Sequence, residues 1–387
     1  MSRVLFTYEQ EMPTVTLQRI SAEGHEAQGY YEARFRQLME VTPEDMQWCD
    51  VLHMIRPNDP YSLDLARQAT KMGRFVIAYY DDDLYGLPKT SPQPQWRRNN
   101  ILRILRSSNA VVSSSRHICN KYKPYTLEKR GYASDTSVEV HEIKRIPHLP
   151  EQKDSSEKVK LIYAANPGHV TFFNQFILPI MPQLCRQYGD RISMTFMGVR
   201  PDLAVFEDQT EIIYMPGMPL DEYRQKIQNG NYDIGLSPLT TDEFTKCKYF
   251  NKFIEYTIAG IAGVYSNTEP YTFVVESGVN GLLVNDDPED WLKSLGLLIE
   301  DGILRNRCIC NAQNLLLSEF TPERIRQREA ESVPELFHYN APADKDCGSL
   351  QLYKLRYKLN RVMDKAYFLW FYFRQQGISG ILNKLRG

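Results

Sequence analysis

Residues 249–285 read YFNKFIEYTIAGIAGVYSNTEPYTFVVESGVNGLLVN, and this stretch decides the fold class. Residues 250–258 carry apolar side chains at helical spacing, Gly260 supplies a turn, and residues 262–265 form a short apolar strand. A loop and a second small helix follow, then a glycine turn from Gly278 to Gly281 and another strand over 282–284. Helix, strand, helix, strand is the unit of a parallel α/β sheet. Glu255 stands out in the first helix, because Phe253, Ile254, Tyr256 and Ile258 surround it where packing alone favours a neutral side chain.

The same alternation extends outward. Residues 4–7, 51–55, 75–80 and 110–113 read as buried parallel strands, separated by helices such as 61–71 and 96–107. Further strands are expected at 159–164, 192–196, 212–215 and 233–236, with helices at 172–188 and 220–229. Asp287-Pro288 opens one more helix, with Asp as N-cap and Pro at the first position. The polar stretch 148–158 (HLPEQKDSSEK) reads as a linker. The expected architecture is two doubly wound Rossmann-like domains facing a cleft, residues 1–150 and 151–340, followed by a helical tail over 350–387. In such sheets ligands bind at the carboxyl ends of the strands.

Composition narrows the function classes. With 42% hydrophobic and 24% charged residues the chain is globular, and a net charge of −2 argues against nucleic-acid binding. The seven cysteines form no regular framework and read as reduced thiols of a cytoplasmic protein. The opening MSRVLFTYEQEMP starts a strand rather than a signal peptide, and no run of 18 apolar residues is present to span a membrane. Ser113-Ser114-Ser115 lacks the G-x-S-x-G elbow of a hydrolase, and no G-x-G-x-x-G follows the first strand as in a dehydrogenase.

Charge is divided unevenly. From Leu350 onward eight Lys/Arg face one acid, Asp364, so the tail carries +7 and the remainder −9. Leu355, Leu359, Val362, Ala366, Leu369 and Phe373 recur at spacings of three and four, with Lys354, Lys358, Arg361 and Lys365 on a neighbouring stripe. Aromatic residues from Tyr367 to Tyr372 thicken the apolar side, and Ile378, Ile381, Leu382 and Leu385 continue the pattern. Basic, aromatic amphipathic helices of this kind lie on anionic membrane surfaces. Docking on the acidic body, or a homo- or hetero-oligomer contact, is the alternative. A chain ending near Ala343 is expected to stay folded and to lose membrane binding.

The stretch around Glu255 resembles the donor-binding segment of retaining, family-4-like glycosyltransferases of GT-B fold. The resemblance implies that Glu255 binds the nucleotide ribose and that the A-G-x-x-x-V-x-S run, Ala259 to Ser266, lines the cleft. Lys248-x-x-Asn251-Lys252-Phe253-x-Glu255-Tyr256 is similar to a subgroup of bacterial surface-polysaccharide enzymes, which puts Lys248, Asn251 and Lys252 in the donor site, the lysines at the diphosphate. Lysines on a solvated helix face, and a Glu255–Lys252 ion pair, are the plain structural alternatives. The family's first Glu, eight positions before the ribose Glu, is Cys247 here.

Other loci gain meaning from that resemblance. Asn166-Pro167-Gly168-His169 follows a strand, opens a helix and is similar to the family's first donor-domain loop, an anion-cradling turn containing Gly168 and His169. A plain turn with a surface His is the alternative. Gly217 and Met218 end a strand where family members hold the nucleobase. Asp81-Asp82-Asp83 resembles an acceptor-side segment, with Asp82 and Asp83 the candidate catalytic or acceptor-holding pair beside His169. These acids alternatively cap the turn that follows, or bind metal as in GT-A transferases. Arg34 and Arg56 are weaker phosphate candidates. GT-B enzymes generally use neither metal nor cofactor. The implied reaction moves a sugar, a hexose by class, from a nucleoside diphosphate sugar to a glycan or lipid-linked acceptor. Retention would follow, with the leaving diphosphate assisting deprotonation of the acceptor, in surface polysaccharide synthesis on the inner face of the cell membrane. A metal-dependent GT-A-like transferase and a non-catalytic GT-B subunit are the rival readings.

Overall fold

The computed structural model describes residues 1–87, 91–144, 158–343 and 346–386, with side chains as far as Gly377. The expected linker therefore lies outside the described residues, except Lys158. Contacts divide the chain into two units, Met1–Thr136 with Ile325–Gly387, and Ser137–Arg324.

The first unit is a parallel sheet of β1 (Ser2–Tyr8), β2 (Tyr31–Gln37), β3 (Val51–Ile55), β4 (Phe75–Tyr79), β5 (Ala110–Ser113) and β6 (Arg130–Ala133), in the order β2-β1-β3-β4-β5-β6. Every residue of β3 and β4 is buried, as parallel central strands with both faces covered must be. The helix Pro60–Lys71 starts on Asp59, whose carboxylate accepts from the N–H groups of Tyr61 and Ser62 at 2.8 and 2.9 Å. Strand order reverses between β1 and β3, so the crevice beyond their carboxyl ends is the natural ligand position of this sheet.

The second unit is a parallel sheet of β7 (Val159–Ala164), β8 (Ile192–Met197), β9 (Glu211–Met215), β10 (Ile234–Ser237), β11 (Ala262–Ser266) and β12 (Leu282–Val284). Its order, β12-β11-β10-β7-β8-β9, is that of a dinucleotide-binding Rossmann sheet and reverses between β7 and β10. The expected helix over 172–188 is instead two, Val170–Phe176 and Met181–Tyr188, because Pro179 and Pro182 interrupt the hydrogen-bond ladder. The helix Asn251–Ala259 ends on Gly260 at φ 71°, whose N–H reaches the carbonyls of Tyr256 and Thr257. Gly235 in β10 lets this helix sit close: a Cβ there would meet the Tyr256 ring at 2.5 Å. The Tyr256 hydroxyl donates to the Leu236 carbonyl at 2.8 Å and fixes the helix on the sheet.

The chain returns to the first unit at Ile325, earlier than the boundary near 340 read from the sequence. Val333, Leu336 and Phe337 join its core with Phe6 and Tyr31, and Glu335 takes both terminal nitrogens of Arg130 at 2.7 and 3.0 Å. The helix Gln351–Arg386, interrupted at Gly377 (φ 64°), then lies along this unit with Tyr357 and Phe371 buried. The tail is thus not a free appendage. Among the described residues, no helix is long and apolar enough to cross a membrane.

Candidate active site

In the second unit, Lys248, Lys252, Glu255 and His169 come together at the carboxyl edge of the sheet. Glu255 projects from the second turn of Asn251–Ala259, its side chain 27% exposed, and Lys252 one turn earlier donates to it at 2.6 Å. The ion pair named as the plain alternative is therefore formed, and Lys252 turns back on Glu255. Tyr223, on the helix Leu220–Asn229, completes a triangle: its hydroxyl donates to Glu255 at 2.6 Å and accepts from Lys252 at 2.5 Å. Burial, and next the charge of Glu255, push this phenol well above its ordinary pKa, so it stays a donor. Sequence reading missed Tyr223. Its signal was a large ring in an otherwise polar helix, one turn before the buried Ile227.

His169 belongs to the same locality. It closes the turn Pro167–His169 after β7, and its carbonyl accepts from Tyr163 at 2.8 Å. Burial, then the positive charges of Lys248 and Lys252, push its imidazole down to about 4, so it is neutral at pH 7. Lys248 also sits over the Phe244 ring at 5.1 Å. Asn251 is exposed at the start of the Glu255 helix, whereas Cys247 is buried. The ends of β7, β8 and β9 are tied by backbone bonds from Ala165 to Met197 and from Gly198 to Met215. Gly198, at φ 76°, brings its backbone so close to the Ala165 carbonyl that a Cβ would lie 2.6 Å from it. Gly168 and Gly217 face open space, with half-buried Met218 beside the latter. The locality is thus a partly desolvated edge with two lysines, a neutral imidazole, one carboxylate and accessible backbone, suited to a polyanion bearing hydroxyl groups.

In the first unit the three aspartates separate in role. Asp83 is 1% exposed and accepts from Tyr122 at 2.6 Å, from the Gly86 N–H at 3.0 Å and from Lys121 at 2.5 Å. It braces the turn after β4. Asp81 and Asp82 instead face Arg56, whose guanidinium stands 2.5 and 3.2 Å from them, and Thr14 donates to Asp81. Burial pushes the Asp81 carboxyl up against the pull of Arg56. Arg56 itself has φ 51°, a strained conformation for a long side chain at the end of β3. Arg34 is packed 3.9 Å over the Trp48 ring.

A second charged group in this unit was not read from the sequence. Arg97 uses five N–H bonds: to both oxygens of Glu9 at 2.6 and 2.7 Å, to Asn58 at 2.6 Å, and twice to Asp364 at 2.9 and 2.6 Å. Trp96 adds a bond to Asp364 at 2.9 Å, while Tyr357 and Arg361 each donate to Glu9 at 3.0 Å. Burial pushes the Glu9 carboxyl up, but Arg97, Arg361 and Tyr357 bring it net below its ordinary value. Glu9 and Asn58 follow β1 and β3, so this network fastens the C-terminal helix at the switch point of the first sheet.

No family model matches the chain, and no curated protein matches it in sequence. Solved structures do share its fold. Anabaena HepE in complex with UDP-glucose is similar at 13% identity with a TM-score of 0.60, covering 87% of this chain and 100% of that one. A glycosyltransferase from Rickettsia africae is similar at 12% identity with a TM-score of 0.60, over 87% and 98%. Sucrose-phosphate synthase from Thermosynechococcus elongatus is similar at 11% identity with a TM-score of 0.59, over 87% and 99%. The fold is the two-Rossmann-unit architecture of GT-B proteins.

Proposed function

We propose that this chain is a glycosyltransferase whose second unit binds a nucleoside diphosphate sugar, with Glu255 on the ribose and Lys248, Lys252 and His169 at the diphosphate. The single observation that carries the reading is the grouping of a partly buried carboxylate, two lysines and a neutral imidazole at the carboxyl edge of a Rossmann sheet. HepE, a neighbour in fold, is described in complex with UDP and with UDP-glucose, which favours a nucleoside diphosphate as the first ligand to test. Gly168, Gly217, Met218 and Asn251 complete the proposed donor site. In the first unit Asp82, beside Arg56, is the proposed acceptor contact; Asp83 would act only through the turn that it braces. Retention of configuration rests on the resemblance of the stretch around Glu255 to retaining family-4-like enzymes, and a glycan or lipid-linked acceptor in surface-polysaccharide synthesis on the K-x-x-N-K-F-x-E-Y resemblance. A metal-bound Asp81–Asp83 site is less favoured, because Arg56 and Lys121 already counter these carboxylates.

Glu255→Ala is the direct test. Losing a hydrogen bond to a charged group costs about 1.5–3 kcal/mol, so nucleotide affinity is expected to fall about tenfold or more with the fold intact. Calorimetry on a folded variant showing unchanged affinity rejects the assignment. A wild-type chain that binds no nucleotide favours the non-catalytic subunit instead.

His169 supplies a pH test. Its pKa is near 4 in the folded chain against 6.5 ordinarily, so the unfolded state binds the extra proton between those values and its share of stability declines as pH falls from 6.5 towards 4. A bound diphosphate raises that pKa. Nucleotide binding is then expected to take up protons in the same window and to tighten as pH falls across it. His169→Gln should remove this component, and calorimetry in buffers of different ionisation heat reads it. Equal proton uptake in both forms places the diphosphate elsewhere.

A further inference from the structure

We infer that the outward face of the helix Gln351–Arg386 is a docking surface for an anionic lipid bilayer. The inward face is spent on the body. Tyr357 and Phe371 are buried, Asp364 meets Arg97 and Trp96, Arg361 meets Glu9, and Lys354 donates to the Met39 carbonyl at 2.8 Å. At roughly 100° per residue, the opposite side presents an apolar arc about 120° wide. Leu355, Leu359, Val362, Leu369, Trp370 and Phe373 lie on it, from 39% exposed at Leu369 to 66% at Val362. A soluble surface rarely presents so continuous a stripe without a partner.

Charge selects the partner. Lys358 and Lys365 are exposed along one flank of the stripe, and Arg374 lies along the other, 5.4 Å over the Trp370 ring. Asp364, the sole acid from Leu350 onward, faces inward, so the presented face carries cations alone. An apolar stripe with aromatic rings, rimmed on both sides by Lys and Arg, matches the acyl boundary, interface and anionic headgroups of a bilayer in that order. The Arg97 network holds the helix by its other side, so the stripe cannot roll inward without breaking buried ion pairs. Docking would bring a lipid-borne acceptor to the loops after β1 and β3; that last step rests on the transferase reading, whereas vesicle binding does not.

The test is flotation of the full chain with phosphatidylcholine vesicles, with and without phosphatidylglycerol. Binding is expected only with the anionic lipid and should weaken as salt rises. Leu359→Asp with Val362→Asp, both exposed, should lower vesicle affinity about tenfold or more with an unchanged melting temperature. Lys358→Glu with Lys365→Glu should remove the preference for phosphatidylglycerol. Binding that survives both pairs of changes overturns the inference. So does a lipid-free dimer in sedimentation velocity that the Asp pair dissociates, since the stripe would then belong to a second copy.

Discussion

Arg97→Ala is expected to destabilise the first unit by about 3–5 kcal/mol, because it leaves the carboxylates of Glu9 and Asp364 facing one another without their shared cation. The guanidinium is only 8% exposed, so water cannot take its place without opening the helix contact. Arg97→Lys keeps the charge but loses the planar fork that reaches Glu9, Asn58 and Asp364 together, and should recover only part of the loss. Denaturant unfolding of the three forms measures this. Acid weakens the same network: the Glu9 carboxylate is depressed in the folded state, so its stabilisation is present above its unfolded pKa and is lost as pH falls through the folded one. A loss under about 1 kcal/mol would mean that the pairs behave as surface salt bridges.

Ending the chain at Ala343 is expected to have a comparably large effect on the first unit. Truncation removes Tyr357 and Phe371, each a buried ring of roughly 1.5–3 kcal/mol, and takes Asp364 and Tyr357 from the Arg97–Glu9 pair. The sequence pattern suggested that the two domains were complete before this point and that the tail's basic stripe faced lipid, with docking on the body or an oligomer contact as the alternative. Contacts revise that expectation: Lys354 and Arg361 face the body, and only the stripe opposite is free to do anything else. The truncated chain should show an early unfolding transition from the first unit and a second near the full-length value from the other. A single unchanged transition contradicts the docked helix.

Periodicity made the sheet cores legible. The strands at 51–55, 110–113, 159–164 and 282–284 have the bounds read from their apolar runs, since strands covered on both faces carry mostly apolar residues. Two edge strands, β2 and β6, escaped the same reading. In β2 (YEARFRQ), Arg34 packs on Trp48 and Arg36 bonds Asp45, so the residues carry a surface pattern while the backbone pairs with β1. In β6 only four residues pair, and Gly131 is there because a Cβ would meet the Cys119 carbonyl at 3.0 Å. Of the candidate donor site, Glu255 and Lys252 were visible as charges in an apolar helix, with Lys248 just before it. Tyr223 was not, because its partner lies 32 residues away and only the folded chain brings them together. Glu9 and Arg97 were hidden for the same reason. Each looks like an ordinary surface charge in sequence, and only the return of the chain after Ile325 encloses them.

The most direct measurement is hydrogen–deuterium exchange of the full chain with and without UDP at saturating concentration. Exchange is expected to slow in the turn at Gly168–His169, around Gly217–Met218 and across Lys248–Glu255, with the loops around Asp81–Asp83 unchanged by nucleotide alone. At 100 times its dissociation constant the ligand should also stabilise its unit by about 2.7 kcal/mol. Protection confined to Asp81–Asp83, or none with any nucleoside diphosphate, would contradict a donor site built on Glu255.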